Sequence, residues 1–261
     1  MPNTEREIGI GIVGGGYMGK AHSVAFAAVA SVFDTTLRPR LEMIAASSPE
    51  SAETYRAQYG FARATDDWRT LVADPQVEAI VIASPQKTHR DIALAAFAAG
   101  KPVLCEKPLG QSLTESLEMT AAAEQAGVAN MVGFNYIRTP ASQYARQLLA
   151  EGRIGTPIWF RGEMTEDFFA DPSIGGWRAQ GQANGCMGDL SPHMINAAHA
   201  LMGPIDSLSA SVQTVHKTRD GQAVTNDDQA QVMCRFASGV QGHMFFSRVA
   251  LGRKMGYAYE I

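Results

Sequence analysis

Three side chains in this sequence are of the types that move protons and steady an oxyanion. Asp189 and His193 stand four residues apart at the start of a predicted helix over 190–201, so both lie on one face about a turn from each other. An imidazole titrating near neutrality can act as a general base, and a carboxylate one turn away can orient it or help position a substrate. The third group is Lys107. It follows the apolar run 103–105 in Glu106-Lys107-Pro108, at the carboxyl end of a parallel strand, where open α/β sheets bind ligands. An ammonium there can hold a hydroxyl and stabilise alkoxide character as a hydride leaves the carbon. A solvated loop lysine and a structural helix pair are the plainer readings of the same residues. Metal binding is disfavoured, because His199 lies six positions beyond His193, about 240° around the helix, and cannot join a site on that face.

A second feature is nucleotide chemistry. Gly14, Gly16 and Gly19 form GxGxxG directly after the apolar run 8–13 and at the opening of an Ala- and Val-rich segment, 17–33. One glycine permits the tight turn, one lets the backbone approach a pyrophosphate, and one lets helix and strand pack closely. The helix N-terminus adds amides and a positive dipole. In an ordinary α/β protein the same glycines make only a turn; here the strand and helix context predicts a dinucleotide. The carboxylate that would bind the adenosine ribose is missing from Ala45-Ala46-Ser47-Ser48-Pro49. Hydroxyls without an acid tolerate a 2′-phosphate, yet no arginine adjoins them, so NAD and NADP both stay open with a lean to NADP.

Other candidates are weaker. His89, beyond Ser84-Pro85-Gln86, lines the cofactor cleft or else caps and packs, and Trp177-Arg178, amid glycines, shelters a nicotinamide or a sugar ring or else is a packed surface pair. Gly185 and Gly188 allow close backbone approach to a ligand ahead of Asp189. Cys186 has no base placed for it by sequence, which argues against a nucleophile. His22, His216 and His243 read as structural, and the twelve methionines as core fillers.

The elements that must position these groups follow from periodicity. Strand-like runs at 8–13, 41–45, 79–83, 103–105 and 130–134 alternate with helical segments at 17–33, 51–59, 89–99 and 113–126. Such alternation implies a doubly wound parallel sheet covered on both faces. Beyond about residue 150 the texture changes to longer alternating stretches at 157–164, 205–216, 228–236 and 240–249, with a single clear helix at 190–201. These predict a mostly antiparallel sheet with a helix on one side. The expected fold class is α/β, with a Rossmann domain over 1–134 and an α+β domain over 135–261 for substrate binding and oligomerisation. Residues 257–261 still alternate like a strand without a stop signal, so the second domain is expected to be truncated.

Composition excludes other classes. A hydrophobic content of 46% supports real cores, and a net charge of −4 from 22 basic and 26 acidic residues builds no face for nucleic acid or anionic lipid. Cys105, Cys186 and Cys234 are far apart and lack CxxC spacing, against a disulfide framework or zinc knuckle and in favour of a reducing cytoplasm. The polar, charged start of the chain predicts neither a signal peptide nor a membrane span.

Taken together, Gly14-Gly15-Gly16-Tyr17-Met18-Gly19, Ser84-Pro85-Gln86, Glu106-Lys107-Pro108, Met131-Val132-Gly133-Phe134-Asn135-Tyr136, Gly152-Arg153-Ile154-Gly155 and Gly185-Cys186-Met187-Gly188-Asp189 through His193 resemble the Gfo/Idh/MocA oxidoreductases in order and spacing. That family groups glucose-fructose oxidoreductase, inositol dehydrogenases and related sugar dehydrogenases, and the chain is most similar to its levoglucosan dehydrogenase-like members. The resemblance implies that Lys107 orients the reacting hydroxyl, His193 is the general base and Asp189 completes the catalytic group, with Tyr136 joining these three against the substrate. It implies a cofactor, NAD or NADP, held by Gly14, Gly16, Tyr17, Met18, Gly19, Ser47, Ser48, Ser84, Pro85, His89, Glu106, Lys107, Trp177 and Arg178, and no metal. The implied reaction is hydride transfer between the nicotinamide and a ring hydroxyl of a sugar, anhydrosugar or cyclitol by a homo-oligomer, dimer or tetramer. An NAD-dependent glycosidase and a non-catalytic dinucleotide-binding protein are the alternatives. The sequence departs from the family pattern at Gln86, where asparagine is familiar, at Ala46, where an acid is common, and at Asn196, where an aspartate is frequent.

Overall fold

The computed structural model describes residues 6–261, which divide into two compact units, the first ending at Gly133 and the second running Phe134–Ile261. In the first unit β1 (Arg6–Val13), α1 (Tyr17–Val32), β2 (Leu37–Ala45), α2 (Pro49–Tyr59), β3 (Arg63–Thr65), α3 (Trp68–Ala73), β4 (Ala79–Ile82), α4 (His89–Ala98), β5 (Val103–Cys105), α5 (Leu113–Ala126) and β6 (Asn130–Val132) alternate along the chain. Apolar residues pointing both ways along each strand demand cover on both faces. Ile10, Ile12, Ile44 and Val81 bury with Phe61 in one cluster, while Val13, Met43, Ala45, Ile80, Ile82 and Val103 bury with Leu71, Ile92 and Met119 in another. All pairings are parallel, in the order β3-β2-β1-β4-β5-β6, the doubly wound arrangement that the sequence predicts. Order reverses between β1 and β4. The carboxyl ends of these neighbours are where such sheets receive ligands.

Local chemistry sets the helix starts. Ser48 and Ser51 form a reciprocal capping box and Pro49 occupies the first turn, so α2 begins two residues before the predicted 51 and closes at the left-handed Gly60. Periodicity predicts neither β3 nor α3, and it places the start of β2 at 41. These pieces are short or charged, as in Arg38-Pro39-Arg40, and tertiary pairing rather than periodicity makes them strands.

The second unit comprises α6 (Pro140–Ala150), β7 (Trp159–Thr165), α7 (Cys186–Asp189), α8 (Ser191–Met202), β8 (Ile205–Gln213), β9 (Thr218–Arg219), β10 (Gln222–Ala223), β11 (Gln229–Phe236), β12 (Gln241–Ser247) and β13 (Gly256–Glu260). Its five-stranded sheet runs β13-β7-β12-β11-β8. On β11, Ala230, Val232, Cys234 and Phe236 face a core shared with Met194, Ala197 and Ala198 of α8, and the residues between them face away. Gly162 lets α8 approach closely, since a Cβ there would sit 2.5 Å from the Met194 sulfur.

The sheet is mostly antiparallel, as expected, with one parallel pairing. β7 runs parallel to β12, because the long excursion between them frees their directions from the hairpin constraint that makes neighbours antiparallel. The single helix expected is joined by α6, where Thr139 caps the Ser142 amide and Pro140 opens the first turn. Among the described residues no helix is long and apolar enough to cross a membrane.

Candidate active site

In the first unit the glycine turn sits at the end of β1. Gly14 has φ +100°, and a Cβ on it would lie 2.5 Å from the Ala83 carbonyl oxygen and 2.6 Å from the Ser84 nitrogen. A Cβ on Gly19 would overlap the Gly14 carbonyl oxygen. Gly16 differs, because a Cβ there would meet nothing within 4 Å. It is also the N-cap of α1, with no side chain capping the first turn and no acid within it. The unspent amides and the open space together suit an anion at this helix end, so these residues fit a dinucleotide pyrophosphate. Tyr17 is 88% exposed on the rim and Met18 is half-buried beside it.

The turn after β4 stands directly against Gly14. Ser84 shares a 2.6 Å hydrogen bond with the Thr88 hydroxyl, and Pro85 is exposed. His89 departs from its expected place at the cofactor cleft. It is 1% exposed, and its two ring nitrogens lie 2.9 Å from the Ser84 carbonyl oxygen and 3.1 Å from that of Pro108, so it ties two loops together from within. After β2, Ser47 is exposed, whereas the Ser48 hydroxyl is engaged in the α2 capping box, with Ser51 as its partner.

Beyond β5, Glu106 is buried and Lys107 half-buried, and the Lys107–Pro108 peptide is cis. Glu106 Oε1 lies 2.7 Å from His22 Nε2 of α1, and Glu106 Oε2 accepts the Lys107 amide at 3.3 Å. Gly133 makes room for that carboxylate, since a Cβ would sit 2.8 Å from Oε1. Burial, with the Glu106 charge adding to it, pushes the Cys105 thiol up to about 12. From the sequence alone His22 reads as structural. No local signal linked it to Glu106, 84 residues away.

In the second unit His193 is buried on the first turn of α8. Its ring meets Tyr136 edge-on at 4.6 Å and Phe134 at 6.3 Å, and Tyr257 stacks on Tyr136 at 4.6 Å. The Tyr136 hydroxyl donates to the Met255 sulfur. Asp189 is half-buried and belongs to the preceding one-turn helix α7, so the pair does not share one continuous helix as expected. Pro192 explains the break, because it has no N–H to donate to the Gly188 carbonyl.

Gly185 and Gly188 also have a different purpose from that expected. A Cβ on Gly185 would overlap the Asp227 carboxylate, and one on Gly188 the Ala183 carbonyl, so both spaces are filled by protein. Asp227 accepts the Met187 amide at 2.7 Å and anchors the start of α7. Cys186 is buried, and desolvation raises its thiol well above the ordinary range. Trp177 is 60% exposed with the Arg178 guanidinium 4.3 Å above its ring.

The loop carrying that pair is held by a buried network that the sequence did not disclose. Arg248 donates to the Arg178 and Asn184 carbonyls, Asn226 to those of Arg178 and Gly181, and Arg219 to that of Asp171. Both guanidiniums lie over the Phe169 ring, at 3.9 and 4.4 Å, and both donate to Asp228 Oδ1. Burial by itself pushes the Asp228 carboxyl up, but the His216 amide and the two guanidiniums hold it below its ordinary value.

Comparison with known proteins finds relatives of both units. Residues 8–134 match the oxidoreductase family with an NAD-binding Rossmann fold, and residues 142–261 match the GFO/IDH/MocA C-terminal domain. Levoglucosan dehydrogenase of Pseudarthrobacter phenanthrenivorans is 36% identical over 98% of this chain and 71% of its own length. Among solved structures, levoglucosan dehydrogenase in complex with NADH and levoglucosan has a TM-score of 0.95 at 37% identity, covering 98% of this chain and 70% of that one. An NAD-binding oxidoreductase from Klebsiella pneumoniae has a TM-score of 0.94 at 41% identity over the same shares.

Proposed function

The chain belongs to the Gfo/Idh/MocA oxidoreductase family, and we propose that it transfers a hydride between NAD and a ring hydroxyl of a sugar, anhydrosugar or cyclitol. The observation that carries this reading is the match to levoglucosan dehydrogenase over 98% of the chain, with Lys107, Asp189 and His193 all present. NAD is favoured over NADP by the NADH complexes of that relative. Gly14, Gly16, Tyr17, Met18 and Gly19 would hold the cofactor, together with Ser47, Ser84, Pro85 and Glu106. When bound, NAD supplies the hydride acceptor.

The chain's own groups handle charge and proton. Lys107 Nζ donates to the reacting hydroxyl oxygen and offsets the negative charge that grows there. The His193 imidazole takes the hydroxyl proton and returns it in the reverse direction. Asp189 completes the group from α7, whose start is anchored by Asp227. The Tyr136 ring, edge-on to His193 and stacked on Tyr257, limits the orientations open to the imidazole and presents its flank to substrate. Three buried thiols suit a reducing cytoplasm, and a homo-oligomer completes the reading.

Turnover of a polyol panel containing levoglucosan and myo-inositol, followed as NADH formation, tests it. Lys107→Ala and His193→Ala are each expected to lower kcat by roughly 10² to 10⁴-fold. Unchanged turnover in both variants refutes the assignment, and release of sugar from glycosides without NADH accumulation points to a glycosidase instead.

A further inference from the structure

Lys107 is bracketed by two histidines from different helices. The residue before it, Glu106, is bonded through Oε1 to His22 of α1, and the residue after it, Pro108, has its carbonyl at hydrogen-bond distance from His89 of α4. Glu106 is further fixed by its own amide, which donates to the Ile82 carbonyl at 2.9 Å, and by its second carboxylate oxygen, which accepts the Lys107 amide. The backbone position of a lysine sets the region that the ammonium on its flexible four-carbon stem can reach. His22 also lies on the helix whose uncapped first turn, at Gly16, suits an anion.

We propose that His22 is a positioning residue for Lys107, acting through the Glu106 carboxylate, and that it ties the turn carrying the lysine to the helix that receives the cofactor's pyrophosphate. A purely structural role explains the pair poorly. Taking a carboxylate and an imidazole out of water costs free energy that two apolar side chains of similar volume would not incur. The bond sets Glu106 and hence the Lys107 amide in one place, and Gly133 keeps that place open. The inference rests on the reading of Lys107 as the group that touches substrate.

The test uses the full chain with NAD and whichever panel polyol it oxidises fastest. His22→Leu, His22→Asn and His22→Gln are compared, because a glutamine amide nitrogen reaches the position of the bonded Nε2 and an asparagine one falls short. His22→Leu and His22→Asn are expected to lower kcat roughly tenfold or more. NADH affinity, read by cofactor fluorescence, is expected to stay within about threefold, and His22→Gln to recover most of the rate. In a Lys107→Ala background His22→Leu is expected to cost nothing further, since a residue acting through another has no effect once that one is gone. Wild-type kcat in His22→Asn, or a loss that persists undiminished without Lys107, overturns the positioning role. A Lys107→Ala enzyme running at the wild-type rate overturns the reading beneath it.

Discussion

Gly16→Ala separates binding from folding in the glycine turn. The backbone at Gly16, φ −67° and ψ −161°, is extended and open to alanine, and the added methyl meets no protein atom within 4 Å. Alanine is the poorer N-cap by about 0.5–1 kcal/mol, but it stiffens the unfolded chain by a similar ~0.4–1 kcal/mol, so stability changes by less than about 1 kcal/mol. The same methyl stands where a pyrophosphate would approach the α1 amides. Losing one charge-assisted hydrogen bond, about 1.5–3 kcal/mol, weakens NADH binding about 10- to 100-fold. Gly19→Ala is the counterpart, because its methyl would overlap the Gly14 carbonyl oxygen and backbone must move. That costs about 2–4 kcal/mol, or roughly 5–10 °C in Tm. Circular dichroism melts and NADH fluorescence titrations measure both quantities. If Gly16→Ala binds NADH within about twofold of wild type, or melts as early as Gly19→Ala, the account of this turn is wrong.

Three further outcomes are expected. Asp228→Asn strands two buried guanidiniums and should cost about 3–5 kcal/mol in urea unfolding; an unchanged midpoint would show the network to be dispensable. Hydrogen bonds from Arg63, helped by the Gln76 amide against burial, lower Asp74 from its ordinary 3.8 to about 2. The pair therefore contributes stability above pH 3.8 that is lost as the pH falls through 2. Solvent screening at the 38%-exposed Arg63 keeps this to about 1 kcal/mol, and acid melts of Asp74→Asn should lose the wild type's slope in that window. Burial raises the thiols of Cys105, Cys186 and Cys234, so a thiol reagent should label the native chain slowly and all three after denaturation; rapid native labelling contradicts the packing.

How far the site was legible differs residue by residue. Gly14, Gly16 and Gly19 were readable because a turn between a strand and a helix is a local event, and the structure separates their uses: two glycines relieve protein contacts and one leaves space. The position of Lys107 just beyond β5 was readable because strand ends follow from the apolar run before them. His89 was misplaced, since nothing in its neighbourhood reveals that the Pro108 carbonyl would come within 3.1 Å of its ring. Ser48 read as a ribose ligand because hydroxyls at a strand end serve cofactors and helix caps alike, and only Ser51 settles its engagement in a cap.

By itself the sequence determined the alternation of strands and helices, the parallel first sheet and the family, because each rests on periodicity and short motifs that neighbouring residues impose on one another. Only the tertiary structure decided that β7 runs parallel to β12, that Arg219 and Arg248 share Asp228, and that His22 meets Glu106. Those contacts join residues far apart in the chain. Their partners are chosen by burial, which forces every enclosed charge to find a counterpart, and no local pattern encodes which one it finds.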